Sequence, residues 1–113
     1  METVLYGYLY VETGCTCIEL DCVGCDTSIF FYAQDLTQGT YPVTYVALYI
    51  GGELYNFWEP YAPYFEYTIP QLAVPCYSLT SVTMVARNSI GLEVEVTLPE
   101  PIDTTDPCTP TQY

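Results

Sequence analysis

Apolar and polar residues alternate along most of this chain, most regularly from Ser81 to Pro99. Val82, Met84 and Ala86 alternate with Thr83, Val85 and Arg87. Beyond Asn88-Ser89-Ile90-Gly91, Leu92, Val94, Val96 and Leu98 alternate with Glu93, Glu95 and Thr97. A period of two puts one set on each face of a strand, and Asn and Gly accept the positive φ of a tight reversal. The stretch predicts a β-hairpin with one face in a core. Near the start, Leu5, Leu9 and Val11 share one face of a strand and Tyr6, Tyr8 and Tyr10 the other. Ser28 to Ala33 (SIFFYA) reads as a short buried strand, followed by a polar connection over Gln34 to Thr40 that contains Gly39. From Tyr41, Val46, Leu48 and Ile50 face one way and Tyr45, Ala47 and Tyr49 the other. Gly51-Gly52 then reverses the chain into a partner strand, Glu53 to Phe57. Pro60 and Pro63 bound an irregular link. Phe65, Tyr67 and Ile69 share one side of a further strand over Tyr64 to Ile69, and Phe57, Phe65 and Tyr67 are expected to point inward.

No 3.6-residue stripe interrupts this series. The expected fold is all-β, an antiparallel two-sheet sandwich formed as a single domain by residues 1–99. A Cys-rich loop is expected over 14–26, and a Pro- and Thr-rich extended C-terminal arm over 100–113. The chain has 113 residues, enough for one two-layer core and too few for two.

FEYTIPQL, a loop, and then VTMVARNSIGLEVEVTLP resemble the last three strands of an immunoglobulin-like or fibronectin type III-like domain. Tyr77 and Trp58 do not fall where such domains carry their corner tyrosine and early-strand tryptophan. The resemblance implies an immunoglobulin-like sandwich of the kind used in adhesion, spacer and virion-decoration modules.

Charge narrows the function further. Fourteen carboxylates stand against a single cation, Arg87, with no Lys and no His. Phosphate backbones and anionic lipid surfaces are bound mainly through Lys and Arg, so neither nucleic acid nor membrane is an expected partner. The lack of His and Lys removes the commonest general base and the Schiff-base nucleophile. Glu93 and Glu95 share a strand face, but that spacing is what any amphipathic strand produces, so no catalytic residue is assigned. Glu19, Asp21 and Asp26, and Asp103 and Asp106 in the arm, lack the spacing of a calcium loop.

Four of the six cysteines, Cys15, Cys17, Cys22 and Cys25, fall within eleven residues. Cys22-Val-Gly-Cys25 resembles half of a zinc knuckle, because two thiolates two residues apart on a tight turn reach one tetrahedral ion. A structural zinc at this loop is one reading. The other is disulfides, with Cys15 or Cys17 joined to Cys22 or Cys25 and Cys76 joined to Cys108; free thiols are the third. Compartment decides between them. METVLYGYLYVETG carries neither the cation nor the apolar run of a secretory leader, so the expectation is synthesis in the cytosol and an extracellular or virion destination.

The densest aromatic stretch is YNFWEPYAPYFEY, seven aromatics in thirteen residues. Tyr55, Phe57, Trp58, Tyr61 and Tyr64, together with Tyr6, Tyr8 and Tyr10, exceed what one small core holds and are candidate interface anchors. With Glu59 and Glu66 they also suit a sugar-stacking platform. The expected function is a non-enzymatic structural subunit of a larger extracellular assembly, most simply a phage or virus particle, with other protein subunits as partners in a homo- or hetero-oligomer. A carbohydrate-binding or adhesin module and a small zinc-binding module are the alternatives.

Overall fold

The computed structural model describes residues 4–37 and 41–108. Within them there are nine strands and no helix: β1 (Leu5–Ile18), β2 (Asp21–Asp35), β3 (Val43–Ile50), β4 (Glu53–Trp58), β5 (Tyr64–Val74), β6 (Leu79–Thr80), β7 (Val82–Asn88), β8 (Glu93–Thr97) and β9 (Ile102–Asp103). They form three antiparallel sheets, ordered β1-β2-β5, β4-β3-β7-β8 and β6-β9. The part of the polar connection around Gly39 and the arm beyond residue 108 lie outside the described residues.

Both predicted hairpins form where the alternation placed them. Gly51 and Gly52 both have positive φ, as a two-residue hairpin turn requires. β7 and β8 pair from Thr83↔Thr97 to Arg87↔Glu93. Gly91 has φ +86, and Asn88 Oδ1 accepts hydrogen bonds from the N–H groups of Ile90 and Leu92 across the turn.

Two expectations are corrected. The stretch 14–26 is not a loop: β1 and β2 pair from Leu5↔Asp35 to Ile18↔Asp21 with one register shift, between Thr16 and Cys17, and Glu19-Leu20 makes the turn. Thr13, Thr16, Ile18, Val23 and Thr27 favour the pleat, and the hydroxyls of Thr13 and Thr27 meet across it at 2.9 Å. Gly14 and Gly24, which suggest a loop in the sequence, simply leave open space above the strands. Likewise β5 continues past Ile69 to Val74. Pro70 is accommodated at a register shift opposite Ser28, where its missing N–H breaks no ladder bond.

The sheet β1-β2-β5 turns Leu5, Leu9, Ile29, Phe31 and Ala33 inward, and the sheet β4-β3-β7-β8 turns Val46, Leu48, Val82, Met84 and Ala86 inward; all belong to one buried cluster. Gly7 sits where the sheets approach. A Cβ there would lie 2.8 Å from Val96 Cγ2 and 2.9 Å from Met84 Cε. The expected arm is held by its own chain as far as residue 108. Ile102 is buried, β9 pairs with β6, and buried Thr104 donates to the Pro75 carbonyl and accepts from the Ser78 N–H.

Candidate functional site

Alternation in β1 and β2 carries one set of aromatics to the outside of the three-stranded sheet. Tyr8 lies opposite Tyr32, Tyr10 opposite Phe30, and Gln34 opposite Tyr64. The rings touch diagonally: Tyr6 meets Tyr32 edge-on at 6.4 Å, Tyr8 meets Phe30 edge-on at 6.2 Å, and Tyr32 stacks on Tyr64 at 5.9 Å. Tyr6, Tyr8 and Tyr10 each leave between 43% and 47% of their surface exposed, and Tyr64 leaves 54%. At one end Glu12 accepts a hydrogen bond from Tyr10 OH, and this bond, with the carboxylate charge, raises the phenol's pKa. β1 and β5 are the sheet's edges, so the aromatic face is flanked by open main chain. Sequence alternation identifies Tyr6, Tyr8 and Tyr10 directly. Phe30 and Tyr32 are missed because SIFFYA is apolar at every position but one.

The run Tyr55 to Tyr67 does not build a single platform. Trp58 turns inward, packing against Phe31, Phe65 and Tyr67 at 5.1 to 5.8 Å, and is half-buried, so it is not an exposed anchor. Phe57, expected both to point inward and as a candidate anchor, is exposed on the outer face of the second sheet and stacks on Tyr45 at 6.0 Å. A register shift between Leu48 and Tyr49 moves the alternation of β4 relative to β3. Tyr55 is exposed at that irregularity, and Tyr61, 82% exposed, stands in the link beside Pro42 and Pro63.

Beyond Phe57, the outer face of the second sheet carries an open groove of about 500 Å³ lined by Tyr45, Tyr49, Arg87, Glu93 and Glu95. Arg87 lies 5.1 Å above the Tyr45 ring and donates to Glu93 at 2.8 Å. The chain's single cation therefore orders this groove from its own side.

At the far end of the β1–β2 hairpin the six cysteines form three disulfides: Cys15–Cys25, Cys17–Cys108 and Cys22–Cys76. Cys15 and Cys25 face each other across the strands with Cα atoms 4.0 Å apart, one of the expected pairings. Cys76 and Cys108 do not pair with each other. The segment before β6 and the C-terminal segment both reach the hairpin end, and each presents its cysteine to a different hairpin residue. In this oxidised state no cysteine is free to ligate zinc. The cross-linked tip exposes Ile18, Leu20 and Val23, each at 60% or more. Its carboxylates, Glu19, Asp21 and Asp26, are also exposed.

One buried polar pair joins the two main sheets. Asn88, at the end of β7, donates through Nδ2 to Asp35 Oδ2 at 2.7 Å, and Asp35 also accepts from the Thr37 N–H at 2.8 Å. Burial pushes the Asp35 pKa up, but hydrogen bonds from Asn88, Thr37 and the Tyr41 backbone outweigh it and hold the carboxyl below its ordinary value. Nothing local in the sequence joins two residues 53 positions apart. The chain matches no family model, no curated protein and no solved structure significantly.

Proposed function

We propose that the chain is a non-enzymatic structural subunit that docks other protein subunits on the aromatic face of β1, β2 and β5, in an extracellular assembly such as a phage or virus particle. The observation that carries this reading is the set of neighbouring aromatics Tyr6, Tyr8, Tyr10, Phe30, Tyr32 and Tyr64 on one sheet face, with ring contacts in two groups, Tyr6–Tyr32–Tyr64 and Tyr8–Phe30. Tyrosines supply large contact area with few rotors to freeze, and their hydroxyls tolerate a wet rim. Three disulfides are consistent with an oxidising destination.

The fold reading that goes with it is an immunoglobulin-like sandwich. Its support is the strand order: first, second and fifth strands in one sheet, and a second sheet built around the adjacent third and seventh strands, over a shared core.

With a net charge of −13, like copies repel at low salt, and contacts between them strengthen as salt screens that charge. The test is velocity sedimentation of the oxidised chain in low salt and in about 1 M salt, where screening reaches roughly 3 Å, for the wild type and a Tyr8→Glu/Tyr32→Glu variant. Salt-promoted association lost in the variant supports docking through this face. A wild type that stays monomeric at sub-millimolar concentration in both salts removes the self-assembling form of the reading.

The groove of Tyr45, Tyr49, Arg87, Glu93 and Glu95 favours a second reading, a carbohydrate-binding module, because it combines aromatic faces with charged hydrogen-bonding groups. Saturable amide shifts confined to these residues on adding a sugar panel would support that reading against the first.

A further inference from the structure

Three sulfurs of two neighbouring disulfides, those of Cys15, Cys22 and Cys25, occupy one small volume at the hairpin end. Cys22 and Cys25 are three residues apart, and in a regular strand their side chains would point to opposite faces. They do not, because Thr16 pairs with Gly24 and Cys17 with Cys22, leaving Val23 as an extra residue that re-aims Cys22. The Cys22 and Cys25 Sγ atoms consequently lie 3.6 Å apart, and the sulfurs of Cys15, Cys22 and Cys25 lie within 4.8 Å of one another. Cys76 Sγ, bonded to Cys22, lies at the edge of this three-sulfur group and is the fourth sulfur available to it once that bond is reduced. In a tetrahedral zinc–thiolate centre, Zn–S bonds of about 2.3 Å place the sulfurs roughly 3.8 Å apart. The separation between the two disulfides is already close to that edge. Cys17 and Cys108 form a bridge of their own and are not needed.

We propose that, when the Cys15–Cys25 and Cys22–Cys76 disulfides are reduced, Cys15, Cys22, Cys25 and Cys76 form a four-thiolate site for a soft divalent cation such as zinc. Reduction of the two disulfides takes four electrons and four protons and yields four thiols. A phosphine reductant supplies the electrons and leaves as the phosphine oxide, with its oxygen taken from water. The cation displaces the four thiol protons as it binds. A two-electron oxidant such as hydrogen peroxide, acting once on each pair, restores both disulfides and releases the ion. The same four residues thus tie the hairpin to the segment before β6 in either redox state, with metal where thiols persist and disulfides where they do not. The surrounding charge favours the cation, since Asp21 and Asp26 flank the cluster and the chain is strongly acidic. This site is independent of the docking face.

The experiment uses the full chain reduced with a phosphine under inert gas, loaded with zinc or cobalt(II), freed of excess metal and examined by native mass spectrometry and visible absorption. The expected result is one zinc per reduced chain, none per oxidised chain, and the intense bands of tetrahedral cobalt thiolate. Cys76→Ser should lose stoichiometric binding, whereas the Cys17→Ser/Cys108→Ser variant should keep it, which separates ligand loss from misfolding. The same loading in urea controls for thiols that bind without a fold, and there affinity should drop. A reduced, folded chain that retains no metal overturns the proposal. So does binding that survives Cys76→Ser unchanged, or binding equally tight in urea.

Discussion

Asn88→Ala tests whether the two main sheets are joined by the buried Asn88–Asp35 pair. The substitution removes a 2.7 Å bond to a buried carboxylate, a class worth about 1.5–3 kcal/mol. It also removes the acceptor of the Ile90 and Leu92 N–H groups, which water can partly replace, adding about 1 kcal/mol. The expected loss is therefore roughly 3 kcal/mol, a large share of a typical domain's stability of about 5–15 kcal/mol. Its pH dependence separates this pair from generic damage. Asp35 has a folded pKa below its unfolded value, so it contributes stability above the unfolded value, and that contribution is lost as pH falls through the folded pKa. Without Asn88 the folded pKa rises and the contribution shrinks. The gap between wild type and variant should thus be widest near neutrality and should narrow as pH falls through the wild-type folded pKa, where the carboxyl takes up its proton even with Asn88 present. Urea unfolding followed by Trp58 fluorescence reads it, and comparing variants cancels the titration of the other carboxylates. A loss under about 1 kcal/mol near neutrality, or one that does not change with pH, would refute the reasoning.

Gly7→Ala should cost about 1–3 kcal/mol in the same assay, nearer the lower figure if the flexible end of Met84 yields, because its Cβ enters the contact between the sheets. Removing the Cys17–Cys108 cross-link with paired serines should destabilise by about 4 kcal/mol, against about 3 kcal/mol for Cys15–Cys25, since the sequence separations are 91 and 10; thermal unfolding of the two double variants gives the order. Arg87→Gln should change stability by less than about 0.5 kcal/mol in urea, because its pair with Glu93 is half-exposed on both sides.

Strands whose two faces carry different residue types were legible in the sequence, and strands apolar or aromatic on both faces without a clear alternation were not. β7 and β8 alternate polar and apolar residues, and the start of β1 alternates tyrosine with Leu5, Leu9 and Val11, so their inward sets follow from period two alone. β2 alternates in structure, with Ile29, Phe31 and Ala33 buried and Phe30 and Tyr32 on the outer face, but aromatic residues occupy that outer face and conceal the pattern. The same concealment left Phe57 named both as core and as anchor and made Trp58 an anchor: both are aromatic, and only the shifted register between β3 and β4 decides which one faces the core. Hydropathy carries no sign of that shift. The cysteines show a different limit. Spacing foretold that Cys15 and Cys25 could meet, because both lie on one local hairpin. The partners of Cys17 and Cys22 come from 91 and 54 residues away and depend on where the segment before β6 and the C-terminal segment pass the hairpin. The candidate site divides the same way. Its tyrosine stripe on β1 is written locally, whereas the rest of the aromatic face and the sulfur cluster exist only once β1 and β2 pair in register, with a single extra residue, Val23, bringing Cys22 beside Cys25.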